Sequence, residues 1–314
     1  MEKKERYRSY AKYLKEKYGS KTYRIGVDAG FSCPHRGNLR SKAGCTFCDV
    51  EGSRSPYLGS LEDLGEQIRQ GIHFLQSRYG ASQFILYFQA YTNTYAPVEQ
   101  LYKIYSFGLS LGTFQELILS TRPDCLDEEK VAMIATFRAQ LQDVWVELGL
   151  QSAQEETLKR IQRGHSVADF ERAFLLLRSK GIKIGVHLIF GLPGEGWKEI
   201  EATLRYVASL RPDGVKIHNL HIPYTAPLFR EFLQGELSLP CYQRHLDYVI
   251  KALELLPVDT LILRVTCDTP KDRLAFPRKF PDKARFLSLL HHRMEELNTW
   301  QGRLFTFSSK YSFL

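Results

Sequence analysis

Short β-branched and aliphatic runs alternate along this chain with longer stretches in which apolar residues recur every three or four positions. That alternation predicts βα units arranged around a parallel sheet. Strands are predicted at Tyr23–Asp28, Phe84–Gln89, Glu116–Ser120, Asp143–Gly149, Lys183–Phe190 and Gly214–Leu220, with a seventh at Leu261–Val265. Helices are predicted over Leu61–Tyr79, Pro97–Leu109, Asp127–Leu141, Ala168–Lys180 and Trp197–Leu210. Ser60 and Asp127 stand where N-caps belong, and Gly181 is placed to stop the helix before it. Ahead of the first strand, Tyr7, Tyr10, Ala11, Leu14 and Tyr18 fall on one helical face, which predicts a helix that buries its tyrosines and turns its lysines outward. From about Ile222 the rhythm decays into helices near Pro240–Leu256 and Lys279–Asn298, joined through the Pro-rich stretch Pro270–Pro281. The reading is an α/β fold with an N-terminal basic helix (1–21), a core (22–225) and a C-terminal extension packed on it (226–314).

Composition narrows the class. With 314 residues, 44% hydrophobic and 25% charged, the chain falls in the ordinary globular range, which excludes fibrous and disordered classes. No apolar run reaches the roughly 18–20 residues a membrane helix needs, and Met1–Arg24 lacks the apolar stretch of a secretory signal, so a cytoplasmic protein with no membrane partner is expected. Lys plus Arg number 43 against 35 for Asp plus Glu, and the excess gathers at the ends. Met1–Arg24 holds nine basic and three acidic residues, and Arg264–Arg293 eight and three. Such blocks steer polyanions or form a solvated face.

Three of the six cysteines are packed into sixteen residues, Cys33-Pro-His-Arg-Gly-Asn-Leu-Arg-Ser-Lys-Ala-Gly-Cys45-Thr-Phe-Cys48, directly after the first strand. In βα barrels that is where reactive loops sit. Three thiolates there can hold three irons of a [4Fe-4S] cluster and leave the fourth iron open to an external ligand. A zinc site would need His35 as its fourth ligand, in a tight Cys-x-His spacing. The barrel context favours iron–sulfur. Cys125, Cys241 and Cys267 are isolated and read as small buried hydrophobes, with Cys267 alternatively a reactive thiol.

The three-cysteine loop, with Phe47 just before its third cysteine, resembles the radical S-adenosylmethionine superfamily. Val27-Asp-Ala-Gly-Phe-Ser-Cys33-Pro34, Thr121-Arg-Pro-Asp124, Glu147-Leu-Gly-Leu-Gln151-Ser152 with Arg163-Gly-His165, and Gly191-Leu-Pro-Gly-Glu195 are similar to its Elongator catalytic-subunit-like branch, and most to the short bacterial YhcC-like members. The resemblance implies a partial (β/α)6 TIM-type barrel. Cys33, Cys45 and Cys48 would hold a [4Fe-4S] cluster, which donates an electron to S-adenosylmethionine and yields a 5′-deoxyadenosyl radical. It also implies an electron donor of the flavodoxin or ferredoxin type. Phe47 would lie beside the cofactor, and Gln89, Thr92 and Asn93 are candidates for its methionine amine. Likeness to oxygen-independent coproporphyrinogen oxidases suggests Gln151 for the ribose and Arg163 for the carboxylate, a charge-assisted pair. Ser120 and His187 stand where that relative has acidic groups near the cofactor, and His187 is kept as a cofactor contact. Gly191 opens a tight strand-to-helix turn whose backbone could also approach the adenine.

His218 and His221, with Tyr224 beyond them, end the sixth strand and are the substrate-side candidates; a core histidine is the competing reading. The Elongator likeness and the basic ends point to an RNA substrate, a tRNA base, while the chain shows no counterpart of the Elongator subunit's acetyltransferase domain. Two alternatives stay open: the same radical chemistry on a small metabolite or peptide, and a non-catalytic iron–sulfur or zinc RNA-binding module.

Overall fold

A computed structural model of the chain describes residues 5–37, 39–40, 44–50, 52, 54, 58, 62–267 and 273–306. The first helix, α1 (Tyr10–Tyr18), leads into β1 (Thr22–Val27), α2 (Leu64–Tyr79), β2 (Gln83–Phe88), α3 (Val98–Ser110), β3 (Phe114–Thr121), α4 (Glu128–Thr136) and β4 (Asp143–Gln151). After these come α5 (Glu155–Arg160), α6 (Val167–Ser179), β5 (Lys183–Phe190), α7 (Trp197–Leu210) and β6 (Gly214–Asn219). The chain then runs through β7 (Ile222–Pro223), α8 (Leu228–Leu233), α9 (Tyr242–Leu255), β8 (Leu261–Arg264), β9 (Leu274–Phe276) and α10 (Lys283–Glu296).

Seven strands form one parallel sheet in the order β1-β2-β3-β4-β5-β6-β8, the partial barrel that the alternating pattern and the family resemblance lead one to expect. The C-terminal segment is therefore more than a cover, since its β8 completes the sheet beside β6. Successive side chains of a strand point to opposite faces. Leu86, Phe88, Leu117, Leu119, Val146, Leu148, Val186 and Leu188 accordingly pack outward under the helices in the main apolar core. The alternate set faces inward, where the sheet curls enough for side chains of β2, β4 and β6 to touch: the Tyr87 hydroxyl donates to Glu147 (2.7 Å) and the Lys216 ammonium donates to Glu147 (2.6 Å).

Helix α1 closes one end of the curl. Its Tyr10 and Leu14 are buried against Ile85, Ile118, Trp145 and Leu261, and Tyr10 and Tyr18 both donate to the buried Glu116. Of the predicted stripe, Tyr10, Leu14 and Tyr18 thus turn inward, whereas Ala11 is exposed and Tyr7 precedes the helix. Lys17 pairs with Asp143, the first residue of β4, so α1 covers the N-terminal ends of the strands and its lysines lie at the end away from the strands' C-terminal loops.

Helix starts follow local chemistry. Asp127 caps α4 by accepting from the Lys130 N–H, and Ser166 with Asp169 makes a capping box on α6. Helix α2 starts three residues later than predicted because Asp63 caps it, accepting from the Glu66 N–H; Ser60 lies outside the described residues. No helix of the described residues is long and apolar enough to cross a membrane.

Candidate active site

A cavity of about 490 Å³ opens at the C-terminal ends of the strands. The loop after β1 forms one wall and brings Cys33, Cys45 and Cys48 to it; residues of β2 to β6 and β8, with the loops that follow them, form the rest. Arg36, inside the cysteine loop and only 1% exposed, organises that wall. Its guanidinium donates to the carbonyls of Arg40 (2.6 Å), Val50 (2.9 Å) and Asp49 (2.6 Å) and to the Cys48 sulfur (3.3 Å). The Cys48 N–H donates to the Cys45 carbonyl (2.9 Å), which makes the second and third cysteines one turn.

Two more guanidiniums reach Cys45. Arg163 lies 3.5 Å from its sulfur and donates to the Gly149 carbonyl at 2.7 Å; Arg122 is 4.0 Å away and is clamped by Asp124. Gly149 is what admits Arg163, because a Cβ there would stand 2.5 Å from its Nη2. Burial alone would push the Cys45 thiol up, but Arg163, His35 and Arg122 override it and hold it at about 6. Burial, with Cys45 beside it, instead pushes Cys48 up to about 11 against the pull of Arg36.

This donor set fits an iron–sulfur cluster better than zinc. A [4Fe-4S] cluster binds each cysteine through a different iron, so its sulfurs need not meet at one point. Among the described residues no three His, Cys, Asp or Glu side chains converge on a single-ion site. His35, which zinc would need, lies with Nε2 2.8 Å from the Arg163 carbonyl. The cationic surroundings suit thiolates, and among the described residues the buried Nε atoms of Arg36 and Arg163 have no hydrogen-bond partner.

Phe47, Gln89, Thr92, Gln151, Arg163, His187, His218 and His221 all line the cavity. Gln151 has a left-handed φ of 74° where β4 slips register against β5, a bulge that re-aims its side chain. Asn93 and Gly191 are placed elsewhere. Asn93 is fully buried behind the wall, where its amide donates to the Phe88 and Ser120 carbonyls and ties β2 to β3. The close approach at Gly191 is to Pro240, whose ring a Cβ would meet at 2.7 Å, and not to the cavity. Tyr224 is exposed and accepts from Arg278 outside it. Of the isolated cysteines, Cys125 is buried as predicted, but Cys241 is exposed ahead of α9 and Cys267 lines the cavity, 3.5 Å from His221 Nε2.

The floor carries a network absent from the sequence reading. Glu147 accepts from Lys216, Tyr87 and His187 (2.7 Å), and Arg24 stands 3.7 Å away. Burial would raise the Glu147 carboxyl, yet Lys216, then His187 and Arg24, hold it well below the usual carboxylate range. Burial also lowers the Lys216 ammonium, with Glu147 pulling the other way. Single charges inside apolar strand runs, Glu147 between Val146 and Leu148 and Lys216 between Val215 and Ile217, were the signals available.

A parallel half-barrel with a three-cysteine loop at its C-terminal strand ends defines the class: an α/β barrel whose cysteine loop faces the cavity at the strand ends. The sequence profile of the Radical SAM superfamily matches residues 32–207, more than half of the chain, and that of the Radical SAM C-terminal domain matches 212–296. The chain belongs to the Radical SAM superfamily. It is 32% identical over 300 residues to protein YtqA of Bacillus subtilis, covering 96% of this chain and 93% of that one. With protein YhcC of Escherichia coli it shares 34% identity over 267 residues, 84% of each chain. A tRNA uridine(34) acetyltransferase of Methanocaldococcus infernus is 29% identical over 157 residues, which span 49% of this chain and 29% of that protein. Among solved structures, an archaeal Elp3 of the same organism superposes with a TM-score of 0.71 at 20% identity, over 89% of this chain and 64% of that one. The family implies a [4Fe-4S] cluster, S-adenosylmethionine and an electron donor.

Proposed function

We propose that this protein is a radical S-adenosylmethionine enzyme that modifies an RNA base, with tRNA as the substrate. The observation that carries the radical chemistry is the meeting of Cys33, Cys45 and Cys48 with Gln151 and Arg163 on one cavity at the strand ends. The three cysteines would hold a [4Fe-4S] cluster, which when reduced supplies the electron that splits S-adenosylmethionine into methionine and a 5′-deoxyadenosyl radical.

The chain's own residues do the rest. Arg163, braced on the Gly149 carbonyl, offers a charged fork to the cofactor's carboxylate. Gln151 and His187 offer polar groups to its ribose, and Gln89 and Thr92 to its amine. Phe47 packs partly into the apolar cluster of Leu158, Ile161 and Ile189 and shields that side from water. His218 and His221 face the space left for the substrate. A donor of the flavodoxin or ferredoxin type would supply the electrons.

Support for RNA is the partial likeness to the tRNA uridine(34) acetyltransferase together with basic residues on the cavity wall, Arg54 and Arg273 among them. The basic N-terminal helix does not contribute there, since it covers the opposite end of the barrel. The test is 5′-deoxyadenosine formation by anaerobically reconstituted protein with dithionite, with and without bulk tRNA, followed by mass spectrometry of the digested RNA. Stimulation by tRNA and a new nucleoside mass are expected, with binding that weakens steeply as salt rises. Turnover indifferent to RNA would refute the substrate class.

A further inference from the structure

Among the described residues seven lysine and arginine side chains line the cavity, and six of them are committed. Arg36 is spent on backbone carbonyls, Arg54 pairs with Asp28, Arg122 with Asp124, Lys216 with Glu147 and Arg273 with Asp49, while Arg163 holds the Gly149 carbonyl. Arg264, the last residue of β8, is the exception: among the described residues its guanidinium makes no hydrogen bond and no ion pair. It is well placed for a ligand all the same. His187, Lys216 and Arg264 occupy one register row across β5, β6 and β8, so all three present side chains to the same inner face. Its charge reaches His187, Lys216, His218 and His221 and, behind their burial, adds to the lowering of each. Further along β6, His218 Nε2 is buried and among the described residues has no hydrogen-bond partner. Arg264 is only partly buried, so its guanidinium is open to an anion that enters the cavity.

The geometry points to a carboxylate subsite on the inner wall of the barrel, in which Arg264 and His218 hold the acid group of a small organic co-substrate. The inference rests on the cavity being the reaction chamber argued above, and it adds a second ligand beside S-adenosylmethionine. One free guanidinium with one imidazole matches a monoanion with two acceptor oxygens. A phosphate monoester, with its greater charge, would call on more cations than the one left uncommitted. The acid group is separate from that of S-adenosylmethionine, for which Arg163 beside the cysteine loop is the candidate.

The test uses the reconstituted protein, with and without S-adenosylmethionine, titrated with propionate, succinate and inorganic phosphate at constant ionic strength with chloride as control. Binding is read by calorimetry and thermal shift, and S-adenosylmethionine affinity is measured on the same samples. Saturable binding of the carboxylates is expected, stronger than that of phosphate, at least tenfold weaker in Arg264→Gln and intermediate in Arg264→Lys. Should Arg264→Gln fail to fold, Arg264→Lys decides, because it keeps the charge and loses the fork. Three results would overturn the subsite: carboxylate affinity unchanged in these variants, phosphate binding tighter than the carboxylates, or acids competing with S-adenosylmethionine, which would put the cofactor's own carboxylate at Arg264. Failure of S-adenosylmethionine to bind would strike the preceding proposal instead, and the titrations without it would still decide this one.

Discussion

Replacing Lys216 with methionine strips the Glu147 carboxylate of its main partner in a place water does not reach, since the two side chains are 3% and 1% exposed and 2.6 Å apart. Removing one partner of a buried ion pair costs about 3–5 kcal/mol. Glu147 keeps His187, Tyr87 and Arg24, so the lower end, about 3 kcal/mol, applies to Lys216→Met. In a chain of this size that lowers the melting temperature by about 4–5 °C. The reverse change, Glu147→Gln, behaves differently with pH. Burial already lowers Lys216 to about 7 against the pull of Glu147, and losing that carboxylate lowers it further. Between the variant's value and about 7 the wild-type fold then holds a proton that the variant's fold does not, so the variant gains stability relative to wild type as pH rises through that window. Its deficit should be larger at pH 6 than at pH 9. The Glu147→Gln/Lys216→Met double variant removes both members of the closest pair and leaves Arg24 as the one charge without its carboxylate, so it should recover part of the loss. Thermal unfolding of the four proteins under anaerobic conditions is the assay. A Lys216→Met melting temperature close to wild type, or a double variant no better than either single, would refute the reasoning.

Other outcomes follow from the same geometry. Arg163→Ala should weaken S-adenosylmethionine binding at least tenfold while the cluster's absorption spectrum is retained; unchanged affinity would remove Arg163 from the site. Gly149→Ala, whose new methyl would stand 2.5 Å from Arg163 Nη2, should reproduce that loss with the far-ultraviolet circular dichroism intact. Tyr10→Phe, at the closed end of the barrel, leaves Glu116 short of a donor and should cost about 1–3 kcal/mol in thermal unfolding without changing cofactor cleavage per folded molecule. Asp127→Ala removes the cap of α4 and should cost about 1 kcal/mol, read the same way.

The strands were legible because parallel strands covered by helices are nearly continuous apolar runs, and Lys183–Phe190 was read to the residue. The cysteine wall was legible because its three cysteines fall within sixteen residues. What joins distant segments was not. Glu147, His187, Lys216 and Arg264 meet only through the register of four strands, and no local pattern encodes that register. Asn93 and Gly191 were misplaced for a related reason: a polar residue after a strand, or a glycine in a turn, has the same local signature whether it meets a ligand, a backbone carbonyl or Pro240. Asp63 in place of Ser60 shows how little separates two capping residues in one loop when only the chain's path selects between them.

The most direct test of the central claim is 5′-deoxyadenosine formation, with iron and sulfide content, in anaerobically reconstituted wild type and in Cys33→Ala, Cys45→Ala and Cys48→Ala. The account predicts about four irons and cofactor cleavage in the wild type, with cleavage lost in each variant. A variant that kept both the full cluster and full cleavage, or a wild-type protein that bound zinc and no iron, would contradict it.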